Sequence, residues 1–433
     1  SGLVFSHLRP KNSVVRSTHG VASGVVSFMR VFDAATEAVK QGGVRRGANI
    51  GILNIQHPDI EEFILCKSVI GRFENFNISA SVTDNFMKAV KADVQYPLLN
   101  PFTKEKIYIS AKNLFNLLCQ QSWATGDPGV IFIDTINSKN PCPWLGPIEG
   151  VNPCGENPLL NNESCNLGSI DASKFVVNKK FDWDRFGDVV EIATRFLDNV
   201  IDVNNYPNVK IERRTKLTRK IGLGIMGFAD GLIKLGLKYN SDGALKFARK
   251  LSASMQGQAL ITSRELAKEK GACPAFLMSG AGMKKNKSLK RNSTLTTLAP
   301  TGTLSILADC SSGIEPLFSK NYTKTVLNGT KLVFNNKFGE VNPELLVTAH
   351  EITPEWHIKM QAAFQENIDN AVSKTVNLPN SATVEDIKNG IFLAHSMGCK
   401  GITFFRDGVR TQPLENSPEG EILSECQNGR CPI

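Results

Sequence analysis

Asn152-Pro153-Cys154-Gly155-Glu156 sets an amide, a thiol and a carboxylate at alternate positions. Pro153 and Gly155 flank the cysteine, which excludes a simple helix or strand through it and requires a tight loop. In an extended or looped backbone alternate residues can point the same way, so the three side chains can face one small volume. Three readings of such a trio are open. A hydrolytic thiolate needs a base, and no histidine lies near in the sequence. Half of a metal site needs a CxxC or HxxxH partner, and the sequence offers none. A packed loop whose Glu156 caps a helix is the third.

Other residues could join this chemistry. Cys165 follows in Glu163-Ser164-Cys165-Asn166-Leu167-Gly168, and Cys426 and Cys431 form a Cys-x4-Cys pair near the end of the chain. That last spacing allows a disulfide across a short loop, a zinc half-site or incidental surface thiols. Pro300-Thr301-Gly302-Thr303-Leu304-Ser305 lies between an apolar run and a segment able to start a helix, so its N–H groups and hydroxyls could form an anion nest. Gly42, Gly43, Arg45 and Arg46 belong to a Gly-rich, doubly cationic loop whose plain reading is a solvated turn. The GxG of IGLGIMGFADG lacks the third glycine and the later acidic residue of a dinucleotide fingerprint, and reads instead as close helix packing.

The elements that must position these residues are legible as periodicity. VSFMRVFDAATEAVKQ, ISAKNLFNLLCQQSWATG, DRFGDVVEIATRFLDNVIDVNN and VEDIKNGIFLAHSMG have helical spacing, each closed by Gly, Asn or a turn cluster. GVIFID, TLTTLAP and GITFF are short apolar runs that read as buried strands. Alternating strands and helices indicate an α/β architecture with mainly parallel strands. The opening SGLVFSHLRP reads like the middle of a buried element, so a missing upstream part is expected. From about Thr411 the chain turns polar and Pro/Gly-punctuated, as expected of a flexible tail.

Composition narrows the function class. With 433 residues, 41% hydrophobic and 21% charged, the chain can bury a large core. No stretch approaches the roughly 20 apolar residues of a membrane helix, and no apolar signal core stands at the start, so a cytoplasmic protein is expected. Fifty Lys and Arg against forty-one Asp and Glu give +9, spread along the chain rather than gathered in a basic arm. That suits phosphate-bearing small ligands better than a nucleic-acid polymer. Ten cysteines, several of them single in apolar surroundings (Cys66, Cys119, Cys273, Cys399), do not form a secreted disulfide framework.

The order of motifs carries a family resemblance. SHLRPKNSVVRSTHGVASGVVSFMRVFDAATEAVKQGGVRRGANIGIL, FNISASVTDNFM, GDPGVIFIDTIN, NPCGE, ESCNLGSID, RKIGLGIMGFADGLIKLG, LAPTGTLSILADCSSGIEP, SKTVNLP and GCKGITFFRDGVR together resemble the ribonucleotide reductase catalytic subunit, most closely its adenosylcobalamin-dependent class. The resemblance implies a ten-stranded α/β barrel of two parallel five-stranded halves, with the Cys154 loop threading its centre. It places the barrel at residues 1–410, incomplete at the N-terminus, and a redox-active tail at 411–433. By the same resemblance Cys154 is the thiyl-radical cysteine, Glu156 the base on the ribose 3′-hydroxyl, and Asn152 the group that holds the hydroxyls. Cys165 is one of two reducing cysteines, the other lying upstream of Ser1. Cys426 and Cys431 become shuttle thiols served by a thioredoxin- or glutaredoxin-like reductant. Asn152 to Glu156 and Pro300 to Ser305 become the substrate contacts, the latter gripping phosphates. Gly42, Gly43, Arg45 and Arg46 become the loop that answers a deoxynucleotide effector, with residues 16–24 as its companion. A homodimer, and a separate polypeptide supplying the N-terminal part, are further implied.

The strand Gly401-Ile402-Thr403-Phe404-Phe405-Arg406-Asp407-Gly408 contains no tyrosine. Metal-dependent members of the family bring the radical in through paired tyrosines at this place, and phenylalanine cannot carry that hole. The resemblance therefore favours adenosylcobalamin as cofactor, with no resident metal-ligand set and either a ribonucleoside di- or triphosphate as substrate. Two alternatives remain. One is the large subunit of a metal-dependent reductase. The other is a non-catalytic nucleotide-binding barrel fragment that acts with another reductase chain.

Overall fold

The strands that position the site are short and apolar on at least one face: β1 (Gly2–Val4), β2 (Asn49–Asn54), β3 (Phe76–Val82), β4 (Gly129–Phe132), β5 (Asn166–Asp171), β6 (Ile221–Met226), β7 (Thr375–Leu378) and β8 (Gly401–Arg406). They are seen in a computed structural model that describes the chain apart from residues 16–18, 40–47, 70, 279–288, 319–321, 326–330, 335–341, 410–413 and 417–433. The expected effector residues Gly42, Gly43, Arg45 and Arg46 and the expected shuttle thiols Cys426 and Cys431 lie outside the described residues. Within the tail, Leu414–Asn416 is a short strand paired with Tyr322–Thr325.

β1 to β4 run parallel in chain order. β8 pairs antiparallel with β4 and parallel with β7, completing a six-stranded sheet in the order β1-β2-β3-β4-β8-β7. β5 and β6 form a separate parallel pair. Single parallel bridges, Leu223 to Thr296 and Leu298 to Val372, link that pair toward the segment that leads into β7. Strand direction thus reverses once, at the β4–β8 seam. Among the described residues no ladder joins the outer edges of β1 and β5.

Helices cover this framework, four of them where the periodicity predicts: α1 (Val25–Ala38), α2 (Ala111–Thr125), α3 (Trp183–Val203) and α6 (Val384–Ser396), with α4 (Asp242–Lys270) and α5 (Pro354–Gln365) between the last two. Their ends are chemically marked. The Ser110 hydroxyl accepts the Asn113 N–H before α2, Gly126 closes it in the left-handed region, and Thr383 with Asp386 makes a capping box on α6. Two apolar cores result. One packs β3, β4 and β8 against α2 and α6, and the other packs β6 against α3, α4 and α5.

Two expectations change. TLTTLAP pairs only through the bridges at Thr296 and Leu298 and through backbone bonds on both flanks. IGLGIMG is not a helix contact: Ile221–Met226 is a fully buried strand. A Cβ on Gly222 would stand 2.6 Å from the Thr297 side chain, and one on Gly224 would stand 2.2 Å from the Thr297 oxygen. The glycines serve close approach of strand to strand.

α3 is tied to the chain after α4 by a charge network under the second core. Asp198, with no exposed surface, accepts from Arg219 at 2.8 Å, Arg291 at 3.2 Å and Asn292 at 2.8 Å. Removing the Asp198 carboxylate would leave the buried Arg219 and the half-buried Arg291 each short of a partner. Asp198→Ala is expected to lose about 3–5 kcal/mol of stability, read as a lowered urea midpoint.

Candidate functional site

β3 and β8 build the site wall. In β3, Phe76, Ile78, Ala80 and Val82 join the helix-packed core, and Asn77, Ile78 and Ser79 line a cavity of about 320 Å³. In β8, Ile402 and Phe404 join the same core, and the run from Gly401 to Phe405 lines the cavity. Cys154, exposed, stands on that cavity with Pro153, Gly155 and Pro300.

A hairpin delivers the cysteine. Gly150–Val151 pairs antiparallel with Pro158–Leu159, and residues 152–157 form its tip. The hairpin base is apolar: Val151 and Leu160 pack with Ile50, Ile52 and Ile131 in a cluster separate from the two main cores. Each such side chain contributes about 1.5–3 kcal/mol by leaving water. The tip closes on itself, with the Asn157 N–H donating to Asn152 Oδ1 at 2.9 Å and the Gly155 N–H to the Asn152 carbonyl at 2.9 Å. Gly155 has φ +80°, where a side chain is strained although no atom would obstruct a Cβ.

The tip hangs between the two sets of strands. On one side Asn77 Nδ2 of β3 donates to the Pro153 carbonyl at 3.0 Å. On the other, the Thr297 hydroxyl at 2.7 Å and the Ala371 N–H at 2.8 Å both donate to the Glu156 carbonyl. Beneath it Lys220, at the start of β6, pairs with Glu163 at 2.9 Å with both side chains at 1% exposure or less. Lys220 Nζ also donates to the Pro158 carbonyl at 2.9 Å, and Glu163 Oε2 accepts the Leu160 N–H at 2.8 Å. None of Asn77, Thr297, Ala371, Glu163 or Lys220 is singled out by sequence reasoning. The one local signal is a lysine set directly before a wholly apolar strand.

The electrostatics favour a protonated thiol. Desolvation of the sulfur against the cavity wall, then the Glu156 carboxylate, push Cys154 up to about 11. Burial raises Glu156 above the ordinary carboxylate range, against hydrogen bonds from its own backbone and from the Asn152 side chain. Cys165 is half-buried and lies within electrostatic range of Lys220, Glu163 and Glu156, and burial pushes it up to about 12. No histidine is among the cavity-lining residues, and no cluster of three metal-ligating side chains occurs among the described residues. A thiol held protonated does not suit a thiolate nucleophile, and a hydrogen-atom donor fits it.

Asn152 and Glu156 are joined by a hydrogen bond, and the Glu156 side chain is buried with Oε2 unpartnered. Thr301 to Ser305 stand beyond Pro300 and do not line the cavity. That loop is folded back: Thr301 has φ +56°, its hydroxyl accepts the Gly313 N–H at 2.8 Å, and Leu304–Leu307 forms one helical turn. Among the described residues no helix is long and apolar enough to cross a membrane.

The family model described as "Ribonucleotide reductase, barrel domain" matches residues 1–405. The chain is 48% identical to a Thermoplasma acidophilum protein named "Vitamin B12-dependent ribonucleoside-diphosphate reductase", over 95% of this chain and 58% of that protein. It is 41% identical to a Mycobacterium tuberculosis protein of the same name, over 98% and 64% of the two. A Streptomyces coelicolor "Vitamin B12-dependent ribonucleotide reductase" is 31% identical over 96% and 54%. The chain thus spans less than two thirds of the length of these relatives.

Two outcomes test the site. Alkylation of Cys154 by iodoacetamide, followed on its peptide by mass spectrometry, should keep accelerating with pH toward about 11; a plateau at or below pH 8 would sink the protonated-thiol assignment. Lys220→Met, which strands Glu163, should cost about 3–5 kcal/mol in urea unfolding, and adding Glu163→Gln should recover much of that loss.

Proposed function

The chain belongs to the ribonucleotide reductase barrel family, and from that premise we propose that it reduces ribonucleotides to 2′-deoxyribonucleotides through a radical on Cys154. The observation that carries this reading is the placement of a protonated thiol on an open cavity, at the tip of a loop suspended from both sets of strands. Radical chemistry needs a hydrogen atom at a fixed point rather than a thiolate beside a base.

In this reading the Cys154 sulfur, once stripped of its hydrogen, takes the hydrogen from C3′ of the ribose. Glu156 accepts the 3′-hydroxyl proton, burial raising its pKa and so strengthening it as a base. Asn152 orients Glu156 and the hydroxyls. The 2′-hydroxyl leaves as water with a proton from Cys165. Cys165 and a second thiol then close to a disulfide and supply the two electrons and the C2′ hydrogen. Cys154 returns its hydrogen to C3′ and Glu156 its proton to the 3′-oxygen. Cys426 and Cys431 reopen that disulfide by exchange and are recharged by a thioredoxin- or glutaredoxin-like protein. Pro300 to Ser305 hold the phosphates. Gly42, Gly43, Arg45 and Arg46 form the loop that responds to a deoxynucleotide effector.

Bound adenosylcobalamin would supply the radical chemistry that removes the Cys154 hydrogen. In this reading Phe405, Thr403 and Asn77, which line the cavity with Cys154, would hold the adenosyl end. The names of the relatives at 41–48% identity favour a diphosphate substrate. The resemblance supports a ten-stranded α/β barrel of two parallel five-stranded halves, a redox tail at 411–433, a homodimer and a cytoplasmic setting.

The deciding experiment is anaerobic deoxyribonucleotide formation from ribonucleoside di- and triphosphates with dithiothreitol and effector, with and without adenosylcobalamin, and with Cys154→Ala. Product that needs both the cobalamin and Cys154 is expected, falling at least 1000-fold in the variant. Product without cobalamin, or undiminished in Cys154→Ala, would overturn the proposal. Where the wild type alone is silent, adding the part of a relative that this chain does not match should restore cobalamin-dependent turnover.

A further inference from the structure

The wall of the Cys154 cavity has a gap in its backbone ladder. β7 and β8 are in register from Thr375↔Thr403 to Leu378↔Arg406. Upstream, residues 370–373 bond to residues 296–298 on one side, but among the described residues no backbone bond joins them to residues 399–401 on the other. Two side chains bridge the opening instead. Gln361 Nε2 of α5 donates to the Val372 and Gly401 carbonyls at 3.2 and 2.9 Å. Lys400 Nζ donates to the Asp369 and Asn370 carbonyls, both at 2.6 Å.

Lys400 is 5% exposed and has no carboxylate within ion-pair distance among the described residues. Asp369 acts on it only at longer range, one oxygen of that carboxylate being taken by the Leu295 N–H at 2.9 Å. A buried ammonium without a counter-ion costs stability. Consistent with this, burial lowers Lys400 to about 8, so the charge is carried at a penalty at neutral pH. A residue kept at a penalty in a cavity wall calls for a role other than stability.

The carbonyls it holds supply that role. Asn370 directly precedes Ala371, whose N–H suspends the Glu156 carbonyl at 2.8 Å. We infer that Lys400 is a positioning residue for the Cys154 loop, its two hydrogen bonds fixing the strand segment from which Glu156, and through it Cys154, is hung. Lys400 touches neither substrate nor reacting atoms in this role. The inference rests on the Cys154 loop being the reactive element proposed above.

The test is amide hydrogen exchange on the full chain, which needs no turnover and so separates this inference from the proposed activity. In Lys400→Met, exchange should quicken tenfold or more in peptides covering residues 150–160 and 367–374. The urea midpoint should stay at or above wild type, because a lone buried charge has been removed. Lys400→Arg, which keeps two donors, should stay within about threefold of wild type in those peptides. Where turnover is measurable, Lys400→Met should lower kcat more than it changes KM. Unchanged exchange at 150–160, loss of protection spread evenly over the chain, or a Lys400→Met chain that does not fold would each overturn the inference, since each makes Lys400 a stability residue or an idle one.

Discussion

The buried pair of Lys220 and Glu163 is the constraint on which the arrangement of the site depends. An ion pair with almost no exposed surface is a poor source of net stability, since the desolvation of both charges offsets most of their attraction. What it provides is geometry. Lys220 also holds the Pro158 carbonyl and Glu163 the Leu160 N–H, so the return limb of the Cys154 hairpin is anchored at two successive points. The same pair lies in electrostatic range of Cys165. One interaction thereby relates the loop thiol, the first strand turn after it and the start of β6, elements that chain connectivity alone leaves free to drift.

Packing transmits that geometry between the two sets of strands. β6 can come close to residues 294–298 only because Gly222 and Gly224 lack a Cβ. That close approach sets the position of Thr297, whose hydroxyl reaches the Glu156 carbonyl. The apolar cluster of Ile50, Ile52, Ile131, Val151 and Leu160 does the equivalent work at the hairpin base from the side of β2 and β4. Apolar contacts hold the hairpin inside, and directional hydrogen bonds from β3 and from residues 297 and 371 decide where its tip stops.

Much of this was legible in the sequence because local chemistry dictated it. The Pro and Gly around Cys154 specify a loop, and a loop is found. The amphipathic spacing of α1, α2, α3 and α6 survives with ends shifted by only a few residues. The partners of the loop were not legible, because Asn77, Thr297 and Ala371 lie 76, 141 and 215 residues from the atoms they hold. Lys220, Glu163 and Lys400 carry charges that a sequence reading assigns to the surface, and burial becomes visible only once strands converge. IGLGIMG misled for a related reason: glycines spaced for close approach look alike whether the neighbour is a helix or a strand.

The division of labour within the loop explains why its chemistry and its position can be separated. Every long-range bond to the tip lands on backbone: the Pro153 carbonyl takes Asn77, and the Glu156 carbonyl takes Thr297 and Ala371. The side chains of Cys154 and Glu156 are left out of the anchoring. A thiol so placed needs no neighbour to ionise it, and its raised pKa keeps the hydrogen on sulfur. In a nucleophilic site the activating base must share the geometry of the nucleophile, and scaffold and chemistry become one network. Here the scaffold grips peptide groups and leaves the Cys154 thiol outside the anchoring network, an arrangement suited to the proposed transfer of one hydrogen atom at a fixed point.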